Sequence, residues 1–322
     1  MSSIFTEKDF LPYLKMDNIR MAIPSDLTGE IVAWEKIHGA NIQIGFNADS
    51  HWIGSRTKKL STQRDLKNFN KVDEVITDEL MYALNDLRDE LLYEMGFIDT
   101  RHHTVIFFGE LYGANIQKDV CYSDKKHIAF FDIVVDGNPI SLRTLLSKTK
   151  KFNIPTPPVV ATGTFAELRE TLDPNKFDSL VPSALHGSEK PSISEGFIIR
   201  LMDDDSWFNR YKWKSDKFSE RPKPKVKGIM NSNDPDVVTC AGWMNQNRFD
   251  AFKSKHPVTD IINTKNMRLN INALVEDVLC DVKEEYPLLH QDDKRRKALV
   301  KIISKTASEL LRTFIKEYDA TL

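Results

Sequence analysis

Only three cysteines occur in the 322 residues, Cys121, Cys240 and Cys280, and they lie far apart. That spacing fits neither a disulfide framework nor a zinc knuckle, and buried, inert thiols are expected. No apolar run approaches the roughly 20 residues needed to span a bilayer, so no membrane partner is expected. Met1 to Leu14 shows no basic segment followed by a long apolar core. A secretory leader is therefore not expected, and the expected compartment is the cytoplasm. An excess of one charge is also missing. The formal net charge is −2, which by itself does not suggest a nucleic-acid partner. What is present is ordinary for a globular chain: 41% apolar and 29% charged residues, with length enough for two domains.

Local charge is more informative than the total. From Arg210 to Lys227 there are eight basic residues (Arg210, Lys212, Lys214, Lys217, Arg221, Lys223, Lys225, Lys227) against Asp216 and Glu220. Such a run predicts a positive surface on a nearly neutral protein. Tyr211 and Trp213 interleave with the cations, which a merely solvated lysine face does not require.

Two regimes follow one another along the chain. Up to about residue 226, β-rich runs alternate with loops. Strands are predicted at Glu30–Lys36, Asn41–Phe46, Thr104–Leu111, His127–Val135, Glu195–Leu201 and Phe208–Lys214. The short connector Ile37-His38-Gly39-Ala40 predicts a hairpin-like corner. Apolar residues at three- and four-residue steps from Val72 to Met95 predict one amphipathic helix. Pro222 and Pro224 suit an extended linker, and a domain boundary is expected near Val226. Beyond it the pattern is helical. One helix is predicted over Asp236–Lys255, one on the stripe Ile271, Leu274, Val275, Val278, Leu279, Val282, and one from Leu299 to Ile315. Between Gly228 and Leu322 fourteen basic residues balance fourteen acidic ones, so any polyanion contact there needs a local face, for instance around Lys294-Arg295-Arg296-Lys297.

The sharpest local feature is Glu35-Lys36-Ile37-His38-Gly39-Ala40-Asn41, between two predicted strands. A lysine at a strand end is held rigidly and can face a pocket. As a nucleophile it must be neutral, and with a reference pKa of about 10.4 only on the order of a thousandth of free lysine is neutral at pH 7. Burial and neighbouring cations raise that fraction. Alone, the string is a weak signal and better describes a lysine on a surface hairpin. Companions change its meaning: Ser55-Arg56-Thr57-Lys58, Phe108-Gly109-Glu110-Leu111, Phe130-Phe131-Asp132-Ile133, Glu195-Gly196-Phe197-Ile198-Ile199-Arg200 and Tyr211-Lys212-Trp213-Lys214 follow in order.

This series resembles the motifs of the covalent nucleotidyltransferase superfamily of polynucleotide ligases and RNA-capping enzymes. With His38 at the third place of the first motif, and Lys212 to Phe218 reading Lys-x-Lys-x-x-Lys-Phe, the chain is similar to the phage RNA ligase 2 family. Tyr112-Gly113, Asn115 to Lys118 and Asn247-Arg248 extend the resemblance along the chain. It implies an α+β fold. Residues 1–226 would form an adenylyltransferase domain of ATP-grasp-like antiparallel sheets with flanking helices, and residues 227–322 an all-α domain recognising the RNA nick. The implied activity is ATP-dependent sealing of 3′-hydroxyl/5′-phosphate nicks in duplex RNA or an RNA–DNA hybrid. The implied cofactors are ATP and Mg²⁺, or Mn²⁺ in its stead. A monomer is expected, working in the host cytoplasm if phage-encoded.

The roles that the resemblance implies are these. Lys36 attacks the α-phosphate of ATP and carries AMP, while Lys212 and Lys214 bring two cations to phosphate. They are two apart on a predicted strand and so share a face. Arg56 binds phosphate or ribose, Glu110 the ribose, and Phe131 stacks on adenine. Glu35 accepts from the adenine amine, with Ile37 beside it in the nucleotide site. Glu195 orients the metal or its waters, His38 positions the 5′-phosphate, and Asn41 supports the turn or the phosphate site. Singly, each also fits a structural role: Phe131 a buried strand residue, Glu110 a strand-end carboxylate, His38 a turn hydrogen bond. Arg200 replaces the lysine frequent in the phage enzymes, and its odd separation from Glu195 predicts the opposite strand face. Asp203-Asp204-Asp205 and His102-His103 read as solvated loop tips. A DNA ligase, a capping guanylyltransferase and an inactive binding relative are the competing readings; His38 and the helical second domain disfavour the first two, retention of Lys36 the third.

Overall fold

The computed structural model describes residues 10–19, 27–47, 50–117, 120, 122–188, 192–207, 209–219 and 234–320. It divides into two compact units, Met1–Lys217 and Phe218–Leu322. This division falls nine residues before the boundary expected near Val226. The Pro-rich segment 221–227 lies outside the described residues, as do Lys118, Cys121 and Phe208.

Unit 1 is built on two five-stranded sheets. In the first, β1 (Asp17–Asn18), β10 (Arg210–Lys214), β9 (Gly196–Leu201), β2 (Ile31–Glu35) and β8 (Val159–Gly163) lie side by side in that order. Every pairing in it is antiparallel except β1 with β10. The second runs β4 (Ser50–Ser55), β3 (Ala40–Asn47), β5 (Val105–Gly113), β6 (Lys126–Val135), β7 (Asn138–Pro139), all antiparallel. The expected hairpin at residues 37–40 is therefore a different object. Strand β2 pairs with β8 and β9, and β3 with β4 and β5, so the corner carries the chain from one sheet to the other. Period-two patterning identifies a strand but not its partner.

Apolar alternation explains the layers. Ile31, Ala33, Phe197 and Ile199 pack with Phe165 and Leu168 of α4 (Phe165–Thr171) on one face of the first sheet. Val32, Trp34 and Ile198 face the other way and join the larger core formed with Ile42, Ile44, Phe107 and Phe130. That core is closed by Leu84, Leu87 and Leu91 of α2 (Asp78–Glu94) and by Leu142 and Leu145 of α3 (Leu142–Lys151). The short α1 (Gln63–Asn68) begins at a Thr62 capping box. The helix expected from Val72 starts later. Asn70 and Lys71 take left-handed φ values of 51° and 50°, Val72–Glu74 form a single 3₁₀ turn, and the Thr77 side chain caps α2 at Leu80 N–H.

Unit 2 is helical: α6 (Pro235–Ala241), α7 (Gln246–Lys253), α8 (Val258–Ile262), α9 (Met267–Glu285), α10 (Pro287–Gln291) and α11 (Asp293–Asp319). Val237, Phe249, Leu274, Val278, Leu299, Ile303 and Leu311 share one core. The single helix expected over Asp236–Lys255 is two helices, because Asn245 caps a new one at Arg248 N–H just after Gly242. Arg248 is buried and bonds Asp281 at 2.6 Å, Asp277, and the Trp243 carbonyl at 2.9 Å. Cys240 is buried as expected, but Cys280 is exposed on α9, because its helical position turns away from the stripe that packs inward. Among the described residues no helix is long and apolar enough to cross a membrane.

Candidate active site

The corner between the sheets is fixed by its own main chain. Glu35 N–H donates to Pro158 C=O and Lys36 N–H to Gly196 C=O, both at 2.9 Å. His38 N–H donates to Tyr122 Oη at 2.9 Å, and Ile37 is buried beneath. Glycine is required at 39, where a Cβ would lie 2.3 Å from the Leu111 carbonyl oxygen and 2.9 Å from Glu110 Cγ. It is required again at Gly196, whose φ is +139° and where a Cβ would lie 2.1 Å from the Trp213 carbonyl oxygen.

Three side chains from this frame converge on one buried carboxylate. Lys36 Nζ lies 2.6 Å from Glu195 Oε2, Lys214 Nζ 2.9 Å from Oε1, and His38 Nδ1 3.2 Å from Oε2. Burial alone would push Glu195 up, yet the Lys214 and Lys36 ammoniums and His38 outweigh it and hold its carboxyl well below the usual range. Glu110 stands opposite Asn41 in the β3–β5 register and thus on the same face. Burial pushes its carboxyl up to about 7. Lys36, Arg56 and a hydrogen bond from the Gly39 backbone pull against that, while the Glu195 charge adds to it. Glu35 is also pushed to about 7 by burial, against hydrogen bonds from Ser179, Leu180 and Val181. Its Oε2 accepts from Leu180 N–H at 2.7 Å, whereas its Oε1 is buried with no hydrogen-bond partner among the described residues. Environment thus divides three glutamates into one fixed anion and two that titrate near neutrality.

Lys212 and Lys214 share a face of β10, as expected, while Tyr211 and Trp213 pack on the opposite side. Arg56 follows the last residue of β4; its Nε–H donates to Tyr13 C=O at 3.0 Å and its charge acts on Glu110. Half-buried Phe131 meets Tyr13 edge to face at 5.2 Å. Asn41 Oδ1 is another buried oxygen with no hydrogen-bond partner among the described residues.

Two basic residues are placed otherwise than expected. Arg210, counted in the positive surface run, is buried, its Nη1 2.6 Å from Asp132 Oδ2. Arg200 Nη1 lies 2.8 Å from Asp132 Oδ1. Because Arg200 stands opposite Arg210 in the register, it shares the face of Lys212 and Lys214, not the far one; strand β9 begins at Gly196, whose φ of +139° breaks the alternation counted from Glu195. The Tyr13 hydroxyl donates to the same Asp132 carboxylate. Sequence reading missed this buried hub, although a lone aspartate inside the apolar run Phe130 to Val135 is its signal. Tyr122 was missed too. The loop-tip readings fit: Asp203 pairs with Arg143 at 2.6 Å, Asp204 accepts from Ser206, and His103 bonds Asp136 at 2.6 Å.

The donor set also bears on metal binding. Among the described residues no cluster of three or more His, Cys, Asp or Glu could hold a metal ion. A hard cation held by one carboxylate and completed by water and phosphate oxygens, as magnesium prefers, fits Glu195; a dedicated protein cage does not.

The family model for RNA ligases matches residues 29–214, the span from β2 to the last residue of β10, and the chain belongs to the RNA ligase family. Solved structures of an RNA ligase from Naegleria gruberi are similar at 14% identity. One variant with ATP and Mn covers 65% of this chain and 57% of that one at a TM-score of 0.42. Another with AMP and Mn gives the same coverage at 0.43, and the protein with pyrophosphate gives 65% and 58% at 0.42. This chain thus spans less than two thirds of their length.

Proposed function

We propose that this protein is an ATP-dependent RNA ligase that seals 3′-hydroxyl/5′-phosphate nicks in duplex RNA, or in an RNA–DNA hybrid, through AMP carried on Lys36. The observation that carries the reading is the convergence of Lys36, Lys214 and His38 on buried Glu195, with Glu110 beside them. A surface lysine needs none of this.

In the first step Lys36 Nζ, having lost its proton, bonds to the α-phosphorus of ATP. The bond from that phosphorus to the bridging oxygen breaks, and pyrophosphate leaves. Lys212 and Lys214 offset charge on the phosphate oxygens, and Arg56 presents a planar donor fork to phosphate or ribose. Glu110 accepts from ribose, and Phe131 offers a flat face to adenine. The unpartnered Oε1 of Glu35 is the acceptor suited to an exocyclic amine, which favours adenine over guanine. Ile37 and Asn41 line the same corner. Glu195 would hold Mg²⁺ or its waters, and Mn²⁺ in its place; the ion supplies charge neutralisation at phosphate. The Naegleria structures with ATP or AMP and Mn are compatible with that pairing.

AMP then passes from Lys36 to the 5′-phosphate at the nick, positioned by His38. The 3′-hydroxyl attacks that activated end and AMP leaves. Residues 1–226 are assigned to the nucleotide chemistry and 227–322 to nick recognition, the arrangement of the phage RNA ligase 2 enzymes that the motifs resemble.

The substrate is tested by sealing nicked RNA duplexes, hybrids, nicked DNA duplexes and single strands at one salt concentration, since phosphate contacts make affinity salt-dependent. Preferential sealing of the RNA-containing duplexes is expected. Equal or better sealing of nicked DNA overturns the RNA assignment.

A further inference from the structure

The 27-residue helix α11 carries cations in an arrangement that its neutral surroundings do not require. At about 100° per residue, Lys294, Lys297, Lys301, Lys305, Arg312 and Lys316 fall within roughly 60° of one line along the helix. All six are exposed. Leu299, Ile303, Ala307 and Leu311 occupy the opposite side and are buried in the core of unit 2. The acids of this helix are elsewhere or marginal: Asp293 and Glu317 lie off the stripe, Glu309 at its edge, and Asp319 at its end. Fourteen basic and fourteen acidic residues from 228 to 322 would, if mixed, leave no such face.

The contrast with neighbouring arginines sharpens the point. Arg295 binds Asp234 at 2.6 Å and Asp236 at 2.7 Å, tying the start of α11 to the start of α6. Arg296 pairs with Asp293 at 2.9 Å. Of the four-residue cluster Lys294–Lys297, then, Arg295 is tied to α6, Arg296 pairs along its own helix, and the two lysines begin the stripe.

We propose that this face of α11 is a docking surface for the phosphate backbone of a duplex polynucleotide. Lys294 and Lys316 are about 33 Å apart along the axis at 1.5 Å per residue. A duplex carries one phosphate per roughly 1.7 Å of its own axis, so a cationic rod of this length meets several phosphates at once. Its anchored apolar side holds the stripe in a fixed orientation before binding. That same burial argues against an anionic bilayer, because an interfacial helix must give its apolar side to the lipid. That the duplex is RNA rests on the ligase reading above.

The test compares the full chain with a K301A/K305A/R312A variant and with its charge-retaining counterpart K301R/K305R/R312K. Affinity for a labelled nicked RNA duplex is followed by fluorescence anisotropy between 50 and 200 mM salt, beside self-adenylylation with ATP. The alanine variant is expected to lose about 2 to 3 from the slope of log affinity against log salt, and to bind about 10- to 100-fold more weakly at 150 mM. The charge-retaining variant should keep the wild-type slope. Adenylylation should be unchanged in both, which separates this surface from the nucleotide site. An unaltered slope in the alanine variant overturns the proposal, as does an equal loss in the charge-retaining one. Charge-dependent binding to phosphatidylserine vesicles with no change in the RNA slope overturns it in favour of a membrane.

Discussion

Lys36 Nζ rests 2.6 Å from Glu195 Oε2, so the resting site holds the proposed nucleophile as one half of an ion pair. Attack on phosphorus requires the neutral amine. Glu195 would therefore have to release Lys36 before attack, and a divalent cation, if bound, would offer that carboxylate a competing partner.

Replacing Glu195 by alanine removes a carboxylate that binds both Lys36 and Lys214. Breaking a buried pair from one side costs about 3–5 kcal/mol, and the 20% exposure of Lys36 puts the loss toward the lower end. A lowered Tm and loss of self-adenylylation are expected. Normal adenylylation by Glu195→Ala, followed with labelled ATP, contradicts the role given to this residue.

The Glu35 and Glu110 carboxyls are both raised to about 7 by burial. Their ordinary value is near 4.3, so between about pH 4.5 and 7 the folded protein binds more protons than the unfolded chain. Their contribution to stability is then fully present at acid pH and lost as pH rises through 7. Glu195, depressed below the usual range, has the opposite sign and loses its contribution only in strong acid. A denaturant midpoint that falls between pH 5.5 and 7.5, and falls less in Glu35→Gln, is expected. Chemical denaturation across that range measures it; a midpoint that rises contradicts the assignment.

Asp132 faces both Arg200 and Arg210 in the interior. Asp132→Ala leaves two buried guanidiniums without their carboxylate and should cost at least about 3–5 kcal/mol. Thermal melting of unit 1 tests this. A loss below about 1 kcal/mol would show that the hub contributes little.

Gly39→Ala directs a methyl group at the Leu111 carbonyl and Glu110 Cγ. The corner must shift, and displacement of a reacting group by about 1 Å costs on the order of 100-fold in rate. Near-native circular dichroism with adenylylation slowed by at least about 10-fold is expected; an unchanged rate means the corner does not position Lys36.

The α+β class and the strings that name the candidate site were legible in the sequence; the pairing of the strands that hold them was not. Lys36, Glu110, Glu195 and Lys214 stand in short strings whose order survives folding, so a one-dimensional pattern finds them. Partnership does not work that way. Nothing in residues 37–40 tells a hairpin from a crossover, because that depends on β8, β9 and β5, remote in sequence. Arg200 was placed on the strand face away from Glu195 and Arg210 in a positive surface; their partner Asp132 lies 68 and 78 positions away. The helix expected from Val72 begins six residues later for a local reason, two left-handed residues and a threonine cap, which apolar periodicity ignores.

Whether AMP becomes attached to Lys36 tests the central claim most directly. The protein is incubated with ATP and Mg²⁺, digested, and its peptides sequenced by tandem mass spectrometry under conditions that preserve the acid-labile phosphoramidate. The account predicts one adenylylated peptide, the one containing Lys36, and none in Lys36→Ala. Modification at another lysine, or an adduct that persists in Lys36→Ala, would contradict it.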